Sequence, residues 1–443
     1  MTATMPLDGG LDFTRARARL DTLDPLRVRG RVTDVIGLVV EGTGPGAPVG
    51  SLCRIGDDQE PGLLAEVVGF RASRVLLMPL GDLAGVAPGR PIQLLDTRPV
   101  VRASDSLLGR VIDGLGDPLD AGGPTDHGDE VPLYGERINP LDRRLIREPL
   151  DLGIRAINAL LACGRGQRLG IFAGSGVGKS TLLGMIARYT RADVNVIALI
   201  GERGREVREF IERDLGPEGM ARSVVVAATS DQPPLVRLRG AFLATAIAEY
   251  FRDQGRDVLL MMDSVTRVAL AQREVGLSVG EPPSTRGYTP SVFALLPRLL
   301  ERAGHGARGS ITGLYTVLVE GDDMNEPVAD TARSILDGHV VLSRRLASEG
   351  HFPAIDVLES VSRVMPDVVS AEQVTHAQRV RAWLSTYREA EDLIQIGAYA
   401  KGASAGVDEA IARRAAIQGF LCQGVDEAAP LAESIAALAG LAR

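Results

Sequence analysis

The pattern of apolar and polar positions changes three times along the chain. From about Val28 to Leu95, short apolar runs are broken by Gly and Pro, which is typical of a small β-barrel or sandwich. After Pro149, aliphatic strands alternate with amphipathic helices, as in a parallel α/β sheet. From about Gln373 the pattern is helical. The runs that predict strands are Val28–Val32, Val35–Glu41, Leu63–Gly69, Val75–Pro79, Pro91–Leu95, Leu169–Ala173, Val194–Ile200, Ser223–Ala228, Val258–Met262 and Ile311–Val319.

These changes predict a barrel domain over 25–95, an α/β domain over 96–372 and a helical domain over 373–443. Residues 96–150 are rich in Gly, Pro and Asp, so we expect a connector with little regular structure. Residues 1–24 predict one short amphipathic helix. That helix either packs on its own domain or docks on a partner or an anionic lipid surface.

Composition narrows the function classes. The chain has 443 residues, with 49 Lys and Arg against 57 Asp and Glu, so a generally basic nucleic-acid-binding surface is excluded. Cys53, Cys163 and Cys422 are too few and too far apart for a disulfide framework or a zinc site, which favours a reducing cytosol. No apolar run approaches the roughly 18 residues of a membrane span. We therefore expect a soluble chain that reaches membranes only through partners.

The strongest motif lies between a predicted strand, Leu169–Ala173, and a predicted helix. Glycines there let backbone N–H groups turn toward phosphate oxygens, and the helix N-terminus adds partial positive charge. We predict a Walker A phosphate loop in which Lys179 reaches the β- and γ-phosphates of ATP and the Ser180 hydroxyl ligates Mg²⁺. The loop reads Gly174, Ser175, Gly176, Val177, Gly178, Lys179, Ser180 and Thr181, and Ala173 stands where the first glycine is usual.

Two further motifs follow predicted strands, and ligands gather at the carboxyl ends of parallel strands. Asp263 ends the strand that begins at Val258, and we expect it to hold the water shell of Mg²⁺. Glu202 and Arg203 follow Val194–Ile200, where Glu202 could polarise an attacking water and Arg203 could meet the γ-phosphate. The alternative for this second motif is a solvated cluster, because alternating charges continue to Arg213.

Taken together, the phosphate loop and the segments Gly201–Glu206 and Leu259–Ser264 resemble those of rotary ATP synthase catalytic subunits. From Val28 to Gly424 the chain is more similar still to the ATPases of flagellar and type III protein export. The segment Gly397–Ser404 favours the flagellar branch over the injectisome branch. The resemblance implies a RecA-like P-loop ATPase core that hydrolyses ATP with Mg²⁺, between a β-barrel domain and a helical C-terminal domain.

The resemblance also implies residue roles. Glu202 matches the glutamate that orients the hydrolytic water, a position that holds Gln in noncatalytic subunits. Phe352 matches an aromatic residue that stacks on adenine, and Arg363 matches an arginine finger that enters the neighbouring subunit's site. A chain that carries both a phosphate loop and a finger implies a head-to-tail homohexamer.

The partners implied by the resemblance are those of an export machine. Residues 1–24 would bind a dimeric regulator, and a coiled-coil stalk protein would contact the loop Glu320–Pro327 and the helix pair around Leu393–Ile411. An export gate, chaperones and unfolded export substrates complete the set. The expected location is cytoplasmic, with peripheral recruitment to the cytoplasmic face of the inner membrane.

Three alternatives stay open at this point. An injectisome ATPase fits most of the same motifs. A hexameric nucleic-acid translocase shares the core, but its barrel needs stacking aromatics, and residues 28–95 contain only Phe70. A noncatalytic subunit of a rotary ATPase is opposed by Glu202. The sequence therefore favours an export ATPase without nucleic acid as a partner.

Overall fold

The computed structural model describes residues 29–57, 62–125, 127–135, 138–319, 321 and 323–443. The chain forms two compact units and passes from the first to the second between Thr97 and Arg98. The helix predicted for residues 1–24 lies outside the described residues.

The first unit is a closed six-stranded barrel in the order β1-β2-β5-β4-β3-β6. Alternate residues of these strands point inward and form its core, for example Val40, Val67 and Leu77, all of which are fully buried. The strands are β1 Arg29–Ile36, β2 Val39–Thr43, β3 Leu52–Ile55, β4 Leu63–Arg71, β5 Arg74–Pro79 and β6 Pro91–Asp96. The predicted strand Val35–Glu41 is wrong as one element, because Gly37 has a φ of 59° and turns the chain between two strands.

The second unit is built on a large twisted sheet in the order β17-β16-β10-β15-β13-β11-β12-β8, with β14 paired to β15. All pairings along this order are parallel except that of β16 with β17. Its strands are β8 Val111–Asp113, β10 Arg168–Ala173, β11 Val194–Ile200, β12 Ser223–Ala228, β13 Asp257–Asp263, β14 Gly304–His305, β15 Ser310–Leu318, β16 Gly338–Leu342 and β17 Ile355–Ser362. The inner strands are apolar on both faces because helices cover both sides.

Helices complete the second unit. They are α1 Arg155–Leu160, α2 Lys179–Tyr189, α3 Gly204–Glu209, which continues through a π-helical turn Phe210–Leu215 into α4 Gly216–Ala221, α5 Pro234–Asp253, α6 Val265–Ser278, α7 Pro290–Leu300, α8 Pro327–Ile335, α9 Arg344–Ser348, α10 Met365–Val368, α11 Ala371–Gln395, α12 Ala405–Leu421 and α13 Leu431–Leu441. The last three form the predicted helical region. None of the helices in the described ranges combines the length and the apolar character needed to cross a bilayer.

The stretch 96–150 has more regular structure than the sequence predicts. Strands β7 Val100–Ala103 and β9 Asp129–Pro132 pair with each other, and β8 joins the edge of the large sheet. The carboxylate of Asp120 supports β8 by accepting hydrogen bonds from the Arg110 guanidinium and the Val111 amide. Strands of three or four residues carry too little periodicity to stand out among Gly, Pro and Asp.

The direction of β17 decides which residues share an edge of the sheet. At its start Ile355 pairs with Leu342, which also pairs with Ala173 at the end of β10. At its end Ser362 pairs with Gly338, at the opposite edge. Eight strand residues span about 26 Å. Residues just before β17 therefore lie beside the phosphate loop, and residues just after it lie far from that loop.

Candidate nucleotide site

The predicted phosphate loop leaves β10 at Ala173 and enters α2 at Lys179. Gly176 and Gly178 have φ values of 77° and 88°, in the left-handed region that favours glycine. A cavity of about 640 Å³ opens over the loop. The backbone of the loop and the first turn of α2 line it through Gly174, Ser175, Gly176, Gly178, Lys179, Ser180 and Thr181. Val177 differs from its neighbours, because its side chain is buried in the core.

Lys179 joins two carboxylates that come from different strands. Its ammonium donates a hydrogen bond to Asp263 Oδ1 and lies 3.8 Å from Glu202 Oε1. The side chains of Lys179, Glu202 and Asp263 are only 12%, 13% and 6% exposed, respectively. The three residues predicted from separate motifs thus form one buried cluster of charges beside the cavity.

Asp263 has a second partner that fixes its carboxylate. It lies at the end of β13, next to β15, and the hydroxyl of Thr316 donates a hydrogen bond of 2.7 Å to Oδ1. Thr316 is fully buried, so this contact is shielded from water. A carboxylate with two donors on the same oxygen is held in one orientation.

Glu202 is the member of this cluster whose pKa is strongly raised. Burial, followed by the negative charge of Asp263, raises its pKa to about 7, against the opposing effect of Lys179. A hydrogen bond between the carboxyl groups of Glu202 and Glu206 also raises the pKa of Glu202 and lowers that of Glu206. Among the described residues, no donor makes a hydrogen bond to the buried Oε1 of Glu202. Its contact with the Lys179 ammonium at 3.8 Å is electrostatic and leaves this acceptor without a hydrogen bond.

Two arginines near Glu202 behave differently. Arg203 lines the cavity, but its side chain is 79% exposed and pairs with Glu206 at 3.2 Å, so in this structure it is not part of the buried cluster. Arg267 also lines the cavity and was missed by the sequence analysis. A Cβ at Gly201 would lie 2.9 Å from that of Arg267, which shows how closely Arg267 packs on the turn before Glu202. Its place in the first turn of α6, the helix that directly follows Asp263, is the signal that could have found it.

Phe352 lies at the same edge of the sheet as the phosphate loop, as expected from its place before β17. Its ring is 3.6 Å from where a Cβ of Gly178 would be, and it is 45% exposed. The Gln423 amide donates to the Phe352 carbonyl at 2.9 Å, which brings the segment after α12 alongside it. There the carbonyl of Val425 accepts hydrogen bonds from Arg188 and Tyr189. Sequence reasoning missed Gln423, because its contact with Phe352 joins distant segments.

Arg363 is not brought together with the other predicted site residues. It follows β17, at the edge opposite its own phosphate loop, and its side chain is exposed. Its guanidinium makes one long hydrogen bond of 3.4 Å to the carbonyl of Arg333. Because β17 spans about 26 Å, Arg363 cannot reach the cavity of its own chain.

Comparison with known proteins shows which protein family the chain resembles over nearly its whole length. The ATP synthase alpha/beta family matches it through its beta-barrel domain over residues 32–95 and its nucleotide-binding domain over residues 153–362. The T3SS EscN ATPase C-terminal domain matches residues 369–440. The flagellum-specific ATP synthase of Bacillus subtilis is 55% identical over 424 residues, covering 95% of this chain and 97% of that protein. The chain belongs to the ATP synthase alpha/beta family.

Other family members serve type III secretion. The type 3 secretion system ATPase of Xanthomonas euvesicatoria is 50% identical, with 96% of each chain covered. The assembled ATPase EscN from enteropathogenic E. coli matches with a TM-score of 0.89 and 46% identity, covering 94% of this chain and 100% of EscN. EscN in complex with its central stalk EscO matches with a TM-score of 0.86, at 46% identity and the same coverage.

These findings confirm the predicted fold class: a six-stranded barrel, a nucleotide-binding core on a parallel sheet, and a helical C-terminal region. The chain is an ATPase, like its full-length flagellar and type III secretion relatives, and the flagellar relatives make the flagellar assignment the main one. The nucleic-acid translocase considered as an alternative is set aside by the same relationship.

The perturbed pKa of Glu202 predicts a pH-dependent gain of stability on Glu202→Gln. In the unfolded chain the carboxyl ionises near its ordinary value, whereas in the folded chain it ionises only near pH 7. Between these values rising pH destabilises the folded wild type, because the unfolded state releases the proton first. We expect the free energy of unfolding of the variant to exceed that of the wild type by up to about 3 kcal/mol at pH 8. At pH 4 the two values should differ little.

Urea unfolding of both proteins at the two pH values measures this effect. Glu209→Gln is the matched control, because Glu209 is 41% exposed and pairs with Arg205 outside the cavity. An equal gain at pH 4 and pH 8 would contradict the origin in Glu202 ionisation.

Proposed function

We propose that this chain is the ATPase of a flagellar export apparatus, in which a ring of identical copies hydrolyses ATP to energise the export of unfolded proteins. The observation that carries the proposal is the buried cluster of Lys179, Glu202 and Asp263 beside a phosphate loop. The flagellar relatives of full length support the biological assignment.

Each member of the cluster has a distinct chemical task. The backbone of the phosphate loop and Lys179 bind the β- and γ-phosphates of ATP. Glu202 accepts a hydrogen bond from the attacking water and aligns it with the γ-phosphorus. A carboxyl group with a pKa of about 7 is well matched to proton transfer near neutral pH. Arg203 and Arg267 line the same cavity and supply positive charge near the γ-phosphate.

The donor set suits Mg²⁺ bound with the nucleotide. This ion takes few protein ligands and keeps several waters, which fits one hydroxyl, Ser180, and one carboxylate, Asp263, acting through water. No cluster of three His, Cys, Asp or Glu that could cage a metal ion occurs within the described residues. When bound, Mg²⁺ offsets charge on the β- and γ-phosphate oxygens.

A ring is needed because Arg363 lies far from the phosphate loop of its own chain. We propose that Arg363 acts in the nucleotide site of the neighbouring copy, where an arginine finger contributes on the order of 10³–10⁵ in rate. Head-to-tail contacts of this kind close into rings. The assembled state of EscN supports a ring, which we propose to be a homohexamer. Phe352 would stack on the adenine of the chain's own nucleotide.

The proposed partners follow the relatives. EscN binds a central stalk, EscO, and we propose that a coiled-coil stalk protein occupies the same role here. The last turn of α11 and the residue after the helix carry exposed apolar side chains, Leu393 and Ile396, which suit such a contact. In the acidic loop Glu320–Pro327, Asp323 is tied to Arg286 at 2.8 Å. We further propose a regulator dimer at residues 1–24, and an export gate, chaperones and unfolded substrates at the cytoplasmic face of the inner membrane.

Replacing Glu202 by Gln tests the catalytic assignment. The amide has the same shape but is a much weaker base, so ATP binding and ring formation should persist while turnover falls at least about 100-fold. Phosphate release, binding of a fluorescent ATP analogue and sedimentation measure the three properties. Hydrolysis within a few-fold of the wild type would remove Glu202 from this role.

A mixing experiment tests whether Arg363 acts between copies. Lys179→Ala lacks a working phosphate loop and Arg363→Ala lacks the finger, so each ring alone should be inactive. In rings reassembled from an equal mixture, about a quarter of the interfaces join an intact loop to an intact finger, and a similar fraction of activity should return. If the mixture stays as inactive as its components, Arg363 does not act in trans.

Deleting the gene in its own organism tests the flagellar assignment. Cells without the ATPase should stop secreting flagellar filament protein into the medium, and the wild-type gene should restore secretion whereas Lys179→Ala should not. Immunoblots of culture supernatants provide the measurement. Normal flagellar secretion after deletion, with loss of other type III substrates, would instead assign the chain to an injectisome.

A further inference from the structure

The backbone that carries Arg363 is held by a buried polar network. The Arg363 amide donates a hydrogen bond of 3.0 Å to the carbonyl of Asp337, the residue just before β16. The side-chain amide of Gln167 donates to that same carbonyl at 3.1 Å and to the Ser362 hydroxyl at 3.2 Å. Gln167 is fully buried, so these bonds do not compete with water.

The carboxylate of Asp337 is bound just as firmly on its other side. Three hydrogen bonds of 3.0 Å reach it from Arg168, one from the backbone amide and two from the guanidinium. The Asp337 amide returns a bond of 2.8 Å to the Arg168 carbonyl. The two side chains are 15% and 24% exposed. A bidentate pair of this kind fixes direction as well as distance.

Close packing ties Asp337 to the end of β17. Gly338 has a φ of 155°, and a Cβ there would lie 2.5 Å from the Val361 carbonyl oxygen. The start of β16 and the end of β17 are therefore in direct backbone contact. A shift of Asp337 has to move the backbone from which the Arg363 side chain projects.

We propose that Asp337 is the positioning residue of the Arg363 finger, acting through its pair with Arg168. Its contacts lie at the edge of the sheet that carries Arg363, opposite its own phosphate loop. Loss of the Asp337 carboxylate therefore impairs the nucleotide site of the neighbouring copy and leaves binding in its own site intact. This inference rests on the proposed function, in which Arg363 works between copies.

Asp337→Asn tests the inference, because it keeps the size of the side chain and removes the charge that binds Arg168. We expect kcat to fall at least ten-fold while KM for ATP stays within two-fold. In reassembled rings Asp337→Asn should recover activity with Lys179→Ala and should recover none with Arg363→Ala. A substitution that merely weakened the fold would not fall into the same complementation class as the finger.

Glu249→Gln is the matched control. Glu249 on α5 makes a bidentate pair with Arg302, with side chains 13% and 8% exposed, and among the described residues neither side chain bonds to Asp337, Arg168 or Arg363. It controls for the loss of a buried arginine–carboxylate pair and should show no ten-fold fall in kcat. Arg168→Lys is a second variant, which removes the bidentate contact with Asp337 but keeps the positive charge. It is tested in the same mixtures with Lys179→Ala and Arg363→Ala, so that the inference can be judged even if Asp337→Asn fails to fold.

The outcomes separate the two proposals. If Arg363→Ala and Lys179→Ala fail to restore activity together, the proposed action of Arg363 in trans is wrong. If they succeed but Asp337→Asn recovers with Arg363→Ala, fails with Lys179→Ala, or raises KM ten-fold, then Asp337 does not position the finger. A ten-fold fall in kcat for Glu249→Gln would equally overturn the inference.

Discussion

One ammonium group facing two buried carboxylates is the interaction on which the nucleotide site depends. Lys179 lies between Asp263 and Glu202, and buried carboxylates without a cation would be strongly unfavourable. Burial and the negative charge of Asp263 outweigh the positive charge of Lys179 at Glu202, and they raise its pKa to about 7. The cation proposed to bind phosphate thus moderates, without cancelling, the high proton affinity of the group proposed to orient water.

The parallel sheet brings this cluster together. Strands β10, β15, β13 and β11 are consecutive neighbours, and their carboxyl ends meet at one edge. That strand order places four features side by side although they are far apart in sequence: the phosphate loop, Thr316, Asp263 and Glu202. The antiparallel strand β17 has the opposite effect: it brings Phe352 to this edge and carries Arg363 away from it.

Much of this arrangement could be predicted because local patterns encode it. Aliphatic runs that end in Asp263 or Glu202, and a glycine loop before Lys179, indicate a phosphate site once a parallel sheet is recognised. Phe352 and Arg363 carry no such local signal, and only resemblance to a family drew attention to them. The network around Asp337 joins residues about 170 positions apart, and Arg267 is a single charge on a helix. Contacts of that kind depend on tertiary packing, which periodicity does not encode.

Strand β10 connects two functional parts of the chain. Its first residue, Arg168, binds Asp337, the proposed positioning residue of Arg363. Its last residue, Ala173, leads into the phosphate loop. The strand is six residues long, or about 20 Å. With Arg363 acting in the neighbouring copy, as proposed, a displacement of β10 would reach two different nucleotides, one held by the chain itself and one held by its neighbour.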